Sequence, residues 1–98
     1  MPAYLIVNYN VENPELYAEY SAGAGPVMKI GEECELLAFD PDTDKLEGDS
    51  VGHQTIVLKF DTMEKAKQMY HSGEYQAVAG KRLEATSSHF AVLVNGIT

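Results

Sequence analysis

The 98-residue chain has one cysteine and only seven lysines and arginines, against 15 aspartates and glutamates. A lone cysteine cannot form an internal disulfide, which favours a reducing cytoplasm. The formal net charge of −8 repels phosphate backbones, so we expect no nucleic-acid partner. No apolar run is long enough to cross a bilayer, and Asn8 and Asn10 interrupt the apolar start. We therefore expect neither a membrane partner nor a signal peptide.

Apolar residues make up 45% of the chain, which is enough for one hydrophobic core. No low-complexity stretch or composition shift divides the sequence. Residues 1–98 are therefore expected to form a single domain.

A strand, a helix and a strand follow one another, and the same order then repeats. Strands are predicted at 3–11, 34–40, 54–60 and 89–95, and helical segments at 14–30 and 62–85. This βαββαβ order predicts an α+β, ferredoxin-like fold, a four-stranded antiparallel sheet with two helices on one face.

Glycine and proline mark where the predicted helices should break. Gly23, Gly25 and Pro26 predict a break in the first helix, a short piece over 27–30 and a C-cap at Gly31. The second helical segment should break at 72–73 and then resume. Its second half predicts an apolar stripe of Tyr75, Val78, Ala79 and Leu83. Residues 40–45 read as an acidic turn, and 45–48 as a short hairpin arm.

Alternation along the strands assigns residues to the two sheet faces. Uniformly apolar sets, such as Phe90, Val92 and Val94, should pack under the helices. Mixed sets should line an open face: Tyr4, Ile6, Asn8, Thr55, Val57, Lys59, His89, Ala91 and Leu93. This face is too apolar to remain in water, so we expect a second copy to cover it and form a homodimer.

Several segments resemble the domain-of-unknown-function family 1330 along essentially the whole chain. They are the start at 3–7, the helix start at 14–20, Leu-Glu-Gly-Asp at 46–49, the strand end at 57–60, and Tyr-His-Ser-Gly-Glu-Tyr-Gln at 70–76 followed by Arg82. The resemblance implies a dimeric α/β barrel, in which two ferredoxin-like sheets face each other. The superfamily includes cofactor-free monooxygenases, lactone isomerases and haem-degrading enzymes.

Four positions depart from the family pattern. Ser50 stands in place of a tryptophan, Gln54 of a basic residue, Lys59 of an acidic one and Gly73 of a proline. Because the first three lie near the expected cavity, a family ligand need not carry over unchanged.

Polar side chains on the predicted open face form a candidate ligand site. His89 is the candidate catalytic base, because an imidazole titrates near neutrality. Lys59 would stabilise enolate charge and Asn8 would orient the ligand, since the parity of these three residues places them on one face. Thr55, Tyr4 and His53 are further candidate ligand-binding residues. For His53 and His89 the alternative is a hydrogen-bonded structural histidine.

Arg82 has two interpretations. It is either an anion clamp at the rim of the cavity, or the partner of Glu74 or Glu84 in a surface salt bridge.

No metal, haem or nucleotide cofactor is expected. Asp40, Asp42 and Asp44 begin like a calcium loop, but that loop requires glycine at its sixth position and glutamate at its twelfth, where Lys45 and Val51 stand. The histidines lack metal-ligand spacing. Cys34, among glutamates, is predicted to be a packing residue.

Two functions remain open on the sequence. One is a cofactor-free enzyme, monooxygenase- or isomerase-like, that acts on a small metabolite. The other is a non-catalytic dimeric module that binds a ligand or a partner protein.

Overall fold

The computed structural model describes residues 1–97, apart from the side chain of His89. The seven elements, in chain order, are β1 (Ala3–Val11), α1 (Pro14–Met28), β2 (Cys34–Asp40), β3 (Gln54–Phe60), α2 (Met63–Tyr70), α3 (Gly73–Ala85) and β4 (Thr86–Asn95).

The strands form one antiparallel sheet in the order β2-β3-β1-β4. One face of the sheet packs against buried residues of all three helices to form the core. Its core residues include Leu5, Val7 and Tyr9 of β1 and Leu58 and Phe60 of β3. The predicted ferredoxin-like α+β fold is confirmed. Within the chain the sheet is open, so a barrel requires a second sheet.

Helix α1 is continuous, and the predicted break at Gly23–Pro26 is wrong. Only Val27 and Met28 follow Pro26 in the helix, so the hydrogen bond that proline removes belongs to the last turn. Gly23 serves packing, since a Cβ there would lie 2.9 Å from Cγ1 of Val78 on α3. The helix ends at Lys29, with a left-handed φ of 54°, before the predicted cap at Gly31.

The break in the second helical segment is confirmed. Thr62 caps α2 through a hydrogen bond from the backbone N–H of Lys65, and Ser72 caps α3 by accepting from the N–H of Tyr75. The predicted stripe of α3 is wrong at one position: Leu83 is 48% exposed, whereas Arg82 is buried.

The two faces of β4 are the reverse of those predicted. Val94 pairs with Tyr4 and Val92 with Ile6, so Phe90, Val92 and Val94 lie on the open face. Ala91 and Leu93 instead pack against the core. Strand β4 starts at Thr86, earlier than predicted, and the register shifts between Asn8 and Asn10, opposite the segment that holds Ser88 with its φ of 50°.

The segment between β2 and β3 contains no strand, so the arm predicted over 45–48 does not form. Its end is held against β1 by Asn8, whose side-chain amide bonds both backbone groups of Gly52. Among residues 1–97, no helix is long and apolar enough to span a membrane.

Candidate functional site

A cavity of about 190 Å³ lies between α1 and the sheet, and we call it the tyrosine pocket. Its residues are mostly apolar, and its polar side-chain groups are hydroxyls, those of four tyrosines and one serine. The lining consists of Tyr9, Tyr17, Tyr20 and Tyr75, with Leu5, Val7, Ser21, Ala24, Gly25, Met28, Ile30, Leu36, Phe39, Ile56 and Leu58. Leu36 and Phe39 are 44% and 54% exposed, so edge strand β2 forms the outer rim.

The phenol hydroxyls occur in two hydrogen-bonded pairs. The hydroxyls of Tyr9 and Tyr17 lie 2.6 Å apart, and Nε2 of Gln54 donates to that of Tyr17 over 2.9 Å. The hydroxyls of Tyr20 and Tyr75 lie 2.8 Å apart. Each pair has two O–H groups. One O–H donates to the other hydroxyl of the pair, so the second O–H is free to donate to another acceptor.

The buried phenols are hydrogen-bond donors rather than bases. Burial raises the pKa of Tyr9 well above its ordinary value, and Tyr17 raises it further, while Arg82 opposes the rise. Burial and the neighbouring Tyr75 likewise raise the pKa of Tyr20. Both hydroxyls therefore stay protonated at neutral pH and suit a carbonyl or enolate oxygen.

Arg82 lies behind the tyrosines and is only 3% exposed. Its Cζ is 5.8 Å from the centroid of the Tyr9 ring, at the distance of a cation–π contact. The salt bridge expected with Glu74 or Glu84 is absent from the described residues. The surface interpretation of Arg82 is therefore wrong, because its side chain points inward from α3.

A second cavity, of about 390 Å³, opens at the ends of α1 and α2. Exposed charges of both signs line it, including Lys29, Glu33, Lys65 and Glu74. Opposite charges that are free to reach water give no preference for a particular ligand, so the tyrosine pocket is the better candidate.

The candidate residues on the open face are used mainly in structural contacts. Asn8 is 3% exposed, and its amide also donates to Oγ1 of Thr55 over 2.9 Å. The Thr55 hydroxyl in turn lies 2.6 Å from that of Thr43. Both side chains thus hold the segment before β3 in place.

The open-face candidates do not gather at one point. Tyr4 pairs with Lys59, while Asn8 pairs with Thr55. Lys59 and Asn8 are thus four residue positions apart, about 13 Å along the strands, which is too far for one small ligand. The side chain of His89 lies outside the described residues, so its role as a base stays a prediction.

His53 bridges β1 and the turn after β2. Its Nε2 accepts from the backbone N–H of Val11 over 2.9 Å, so its Nδ1 carries the proton and donates to the carbonyl of Pro41 at 3.0 Å. Both ring nitrogens are occupied, as in the structural alternative.

The remaining candidates have structural roles as well. Burial raises the pKa of the Cys34 thiol, and Glu33 adds to the rise, so the thiol stays protonated in its packed position. Asp40 accepts from the N–H of Asp42 in a turn. Among the described residues, no three His, Cys, Asp or Glu side chains group as metal ligands.

The tyrosine pocket was missed at the sequence level, although a signal existed. Five of the chain's six tyrosines stack in one chain of ring contacts: Tyr9, Tyr17, Tyr20, Tyr70 and Tyr75. Tyrosine on a buried stripe must find a partner for its hydroxyl, whereas phenylalanine needs none. Repeated tyrosine at core positions is thus a sign of a polar network.

Residues 2–97 match the model of a family described as a domain of unknown function, DUF1330. A comparison with curated proteins gives no match.

Solved structures show the same fold. A protein of unknown function from Rhodopseudomonas palustris has a TM-score of 0.79 at 14% identity, covering 99% of this chain and 83% of its own. A dimeric ferredoxin-like protein of unknown function from Jannaschia sp. CCS1 has a TM-score of 0.75 at 12% identity, covering 98% and 100%. SnoaB, a cofactor-independent oxygenase from Streptomyces nogalater, has a TM-score of 0.68 at 8% identity, covering 99% and 94%.

Proposed function

The chain belongs to the DUF1330 family of domains of unknown function, and from this premise we propose that its tyrosine pocket binds a small, mostly apolar molecule that carries one or two oxygen atoms. The family and the fold leave the activity open, so the site itself has to carry the proposal. The observation that carries it is the pairing of phenol hydroxyls in the lining of an apolar cavity.

The size of the pocket limits the ligand. A dry, apolar cavity of about 150 Å³ accommodates benzene in other proteins. At about 190 Å³, the tyrosine pocket fits one ring with a short substituent. The free O–H of each tyrosine pair then favours a carbonyl, phenol or enolate oxygen on that substituent.

A filled-pocket variant tests this proposal. Gly25 lines the pocket, and a Cβ built on it meets nothing within 4 Å beyond its chain neighbours, so Gly25→Leu should place its side chain in the cavity. Acetophenone, a neutral one-ring ketone, is expected to bind the wild type and to shift amide resonances around the pocket. We expect Gly25→Leu to abolish these shifts.

The matched control is Gly80→Leu, since Gly80 is also helical, with nothing within 4 Å, but is exposed on α3. It should bind acetophenone as the wild type does. Equal resonance shifts in Gly25→Leu and the wild type would place the ligand elsewhere and contradict the proposal.

Catalysis without a cofactor is the second candidate function. The similar fold of SnoaB, a cofactor-independent oxygenase, favours it. Neutral phenol donors suit the charge that develops on an enolate oxygen in monooxygenase- or isomerase-like chemistry. No carboxylate or imidazole is among the described residues of the lining, and this favours the non-catalytic binding module. His89 remains the candidate base for the enzyme.

We also propose that two copies associate through their open sheet faces. Phe90, Val92 and Val94 are 45%, 43% and 40% exposed there, beside Tyr4 and Ile6. Each large aliphatic side chain removed from water contributes about 1.5–3 kcal/mol. The dimeric state of the ferredoxin-like protein from Jannaschia supports a dimer.

Val92→Lys tests the dimer, because a lysine buried between the sheets without a partner costs several kcal/mol. The wild type is expected to sediment as a dimer at micromolar concentration and Val92→Lys as a monomer. Leu83→Lys is the control, since Leu83 is similarly exposed, at 48%, but lies on α3. A monomeric wild type, or a Val92→Lys dimer, would rule out this interface.

The compartment we propose is the reducing cytoplasm. The only cysteine of the chain, Cys34, is buried as a free thiol. A small domain without a disulfide is typical of reducing compartments.

A further inference from the structure

The Arg82 guanidinium is a buried charge without a counter-charge. Its side chain is 3% exposed, and Nε has no hydrogen-bond partner. Among the described residues, no carboxylate lies within 4.0 Å of it. A buried arginine normally has a carboxylate or phosphate partner, because leaving the charge unpaired costs several kcal/mol.

The groups that face Arg82 are tyrosines, and three of the four also line the pocket. Burial alone would lower the pKa of Arg82, but the phenols of Tyr75, Tyr20, Tyr70 and Tyr9 outweigh it and raise the pKa above its ordinary value. The guanidinium therefore stays charged. Tyr9, Tyr20 and Tyr75 also line the pocket, so they separate the charge from any ligand by one layer of side chains.

We propose that the ligand of the tyrosine pocket is an anion with one apolar ring, of the aromatic carboxylate or enolate class, and that Arg82 is the residue that selects its charge. This inference rests on the proposed function of the pocket. The negative group would accept a hydrogen bond from the free O–H of a tyrosine pair. The guanidinium would lie behind the phenol rings. Interactions between charges across such a low-dielectric layer are stronger than in water.

The apolar lining favours a single, delocalised negative charge. A phosphate ester carries up to two charges and requires several donors, whereas the pocket provides one free O–H from each of two tyrosine pairs and the hydroxyl of Ser21. A carboxylate or enolate attached to a ring matches this small number of donors and the apolar wall.

Benzoate and benzamide form a matched pair of probes, because they have nearly the same shape and differ in charge. Titration calorimetry of the wild type at neutral pH is expected to give a dissociation constant for benzoate lower than that for benzamide by about tenfold or more. In Arg82→Met the two constants should become equal within about threefold, mainly by loss of benzoate affinity.

Arg82→Met is expected to fold, because methionine fills similar space without burying a charge. If it does not fold, Arg82→Lys replaces it, and this variant should keep the preference because it keeps the charge. Benzamide binding as tightly as benzoate in the wild type, or a preference that survives in Arg82→Met, would overturn the role of Arg82. So would a folded Arg82→Lys without any preference.

The outcome for the pocket itself is separable from that for Arg82. If acetophenone binds but benzoate does not, the pocket is a binding site and the proposed anionic ligand class is wrong. If acetophenone, benzoate and benzamide all fail to bind, the proposed function fails first.

Discussion

Gly52→Ala is expected to lower the free energy of unfolding by about 3 kcal/mol or more. A Cβ at position 52 would lie 2.5 Å from the carbonyl oxygen of Tyr9 and 2.6 Å from its Cα. Neither strand β1 nor the segment can easily move away, because Asn8 bonds both backbone groups of Gly52. Urea unfolding followed by circular dichroism measures the change in midpoint.

Gly80→Ala is the control for this prediction. Gly80 lies inside α3 with nothing within 4 Å of a Cβ, so alanine should raise the free energy of unfolding by about 0.5–1 kcal/mol through its better helix propensity. If Gly52→Ala and Gly80→Ala unfold at the same urea concentration, close packing at Gly52 is not a constraint on the fold.

Local signals in the sequence were sufficient to predict most of the fold. Strands β1, β2 and β3 begin and end where their apolar runs do, and Asn13 and Thr62 cap helices as their side chains allow. These features depend on neighbouring residues only. Capping and alternation therefore predict them without knowledge of the tertiary structure.

The faces of β4 could not be predicted in the same way. Both sides of β4 are apolar, with Phe90, Val92 and Val94 on one side and Ala91 and Leu93 on the other. Alternation therefore does not indicate which side faces the core. Pairing with β1 decides the faces, and this pairing is a long-range property. The larger set lies outside, which makes the open face more apolar than the sequence suggested.

The position of Arg82 shows why the candidate site was missed. Tyr75 marks the buried face of α3. Arg82 follows it by seven residues, which rotates a helix to within about 20° of the same direction, whereas Leu83 follows by eight and lies about 80° past it. Arg82 is therefore buried in line with Tyr75, and Leu83 is turned outward. A hydropathy pattern assigns the leucine to the core, because it takes no account of how tyrosines can surround a charge.

Tyr75→Ala should be the most damaging change in the pocket. Tyr75 is 2% exposed, and its hydroxyl pairs with that of Tyr20. Truncating a buried aromatic ring costs about 3–5 kcal/mol, a large share of a typical domain's stability. Because Tyr75 lines the tyrosine pocket, the lost ring enlarges an existing cavity rather than creating a separate one.

Added phenol is expected to restore part of that lost stability, since it can refill the ring position and supply the missing hydroxyl to Tyr20. The melting temperature of Tyr75→Ala should rise with phenol concentration. Tyr75→Phe is the control, because it keeps the ring, leaves the Tyr20 hydroxyl without its partner at a cost of about 1–3 kcal/mol, and offers phenol no space. A rise of equal size in Tyr75→Ala and Tyr75→Phe would mean that phenol acts outside the pocket. A larger rise in Tyr75→Ala would place a one-ring oxygen compound beside the tyrosine hydroxyls.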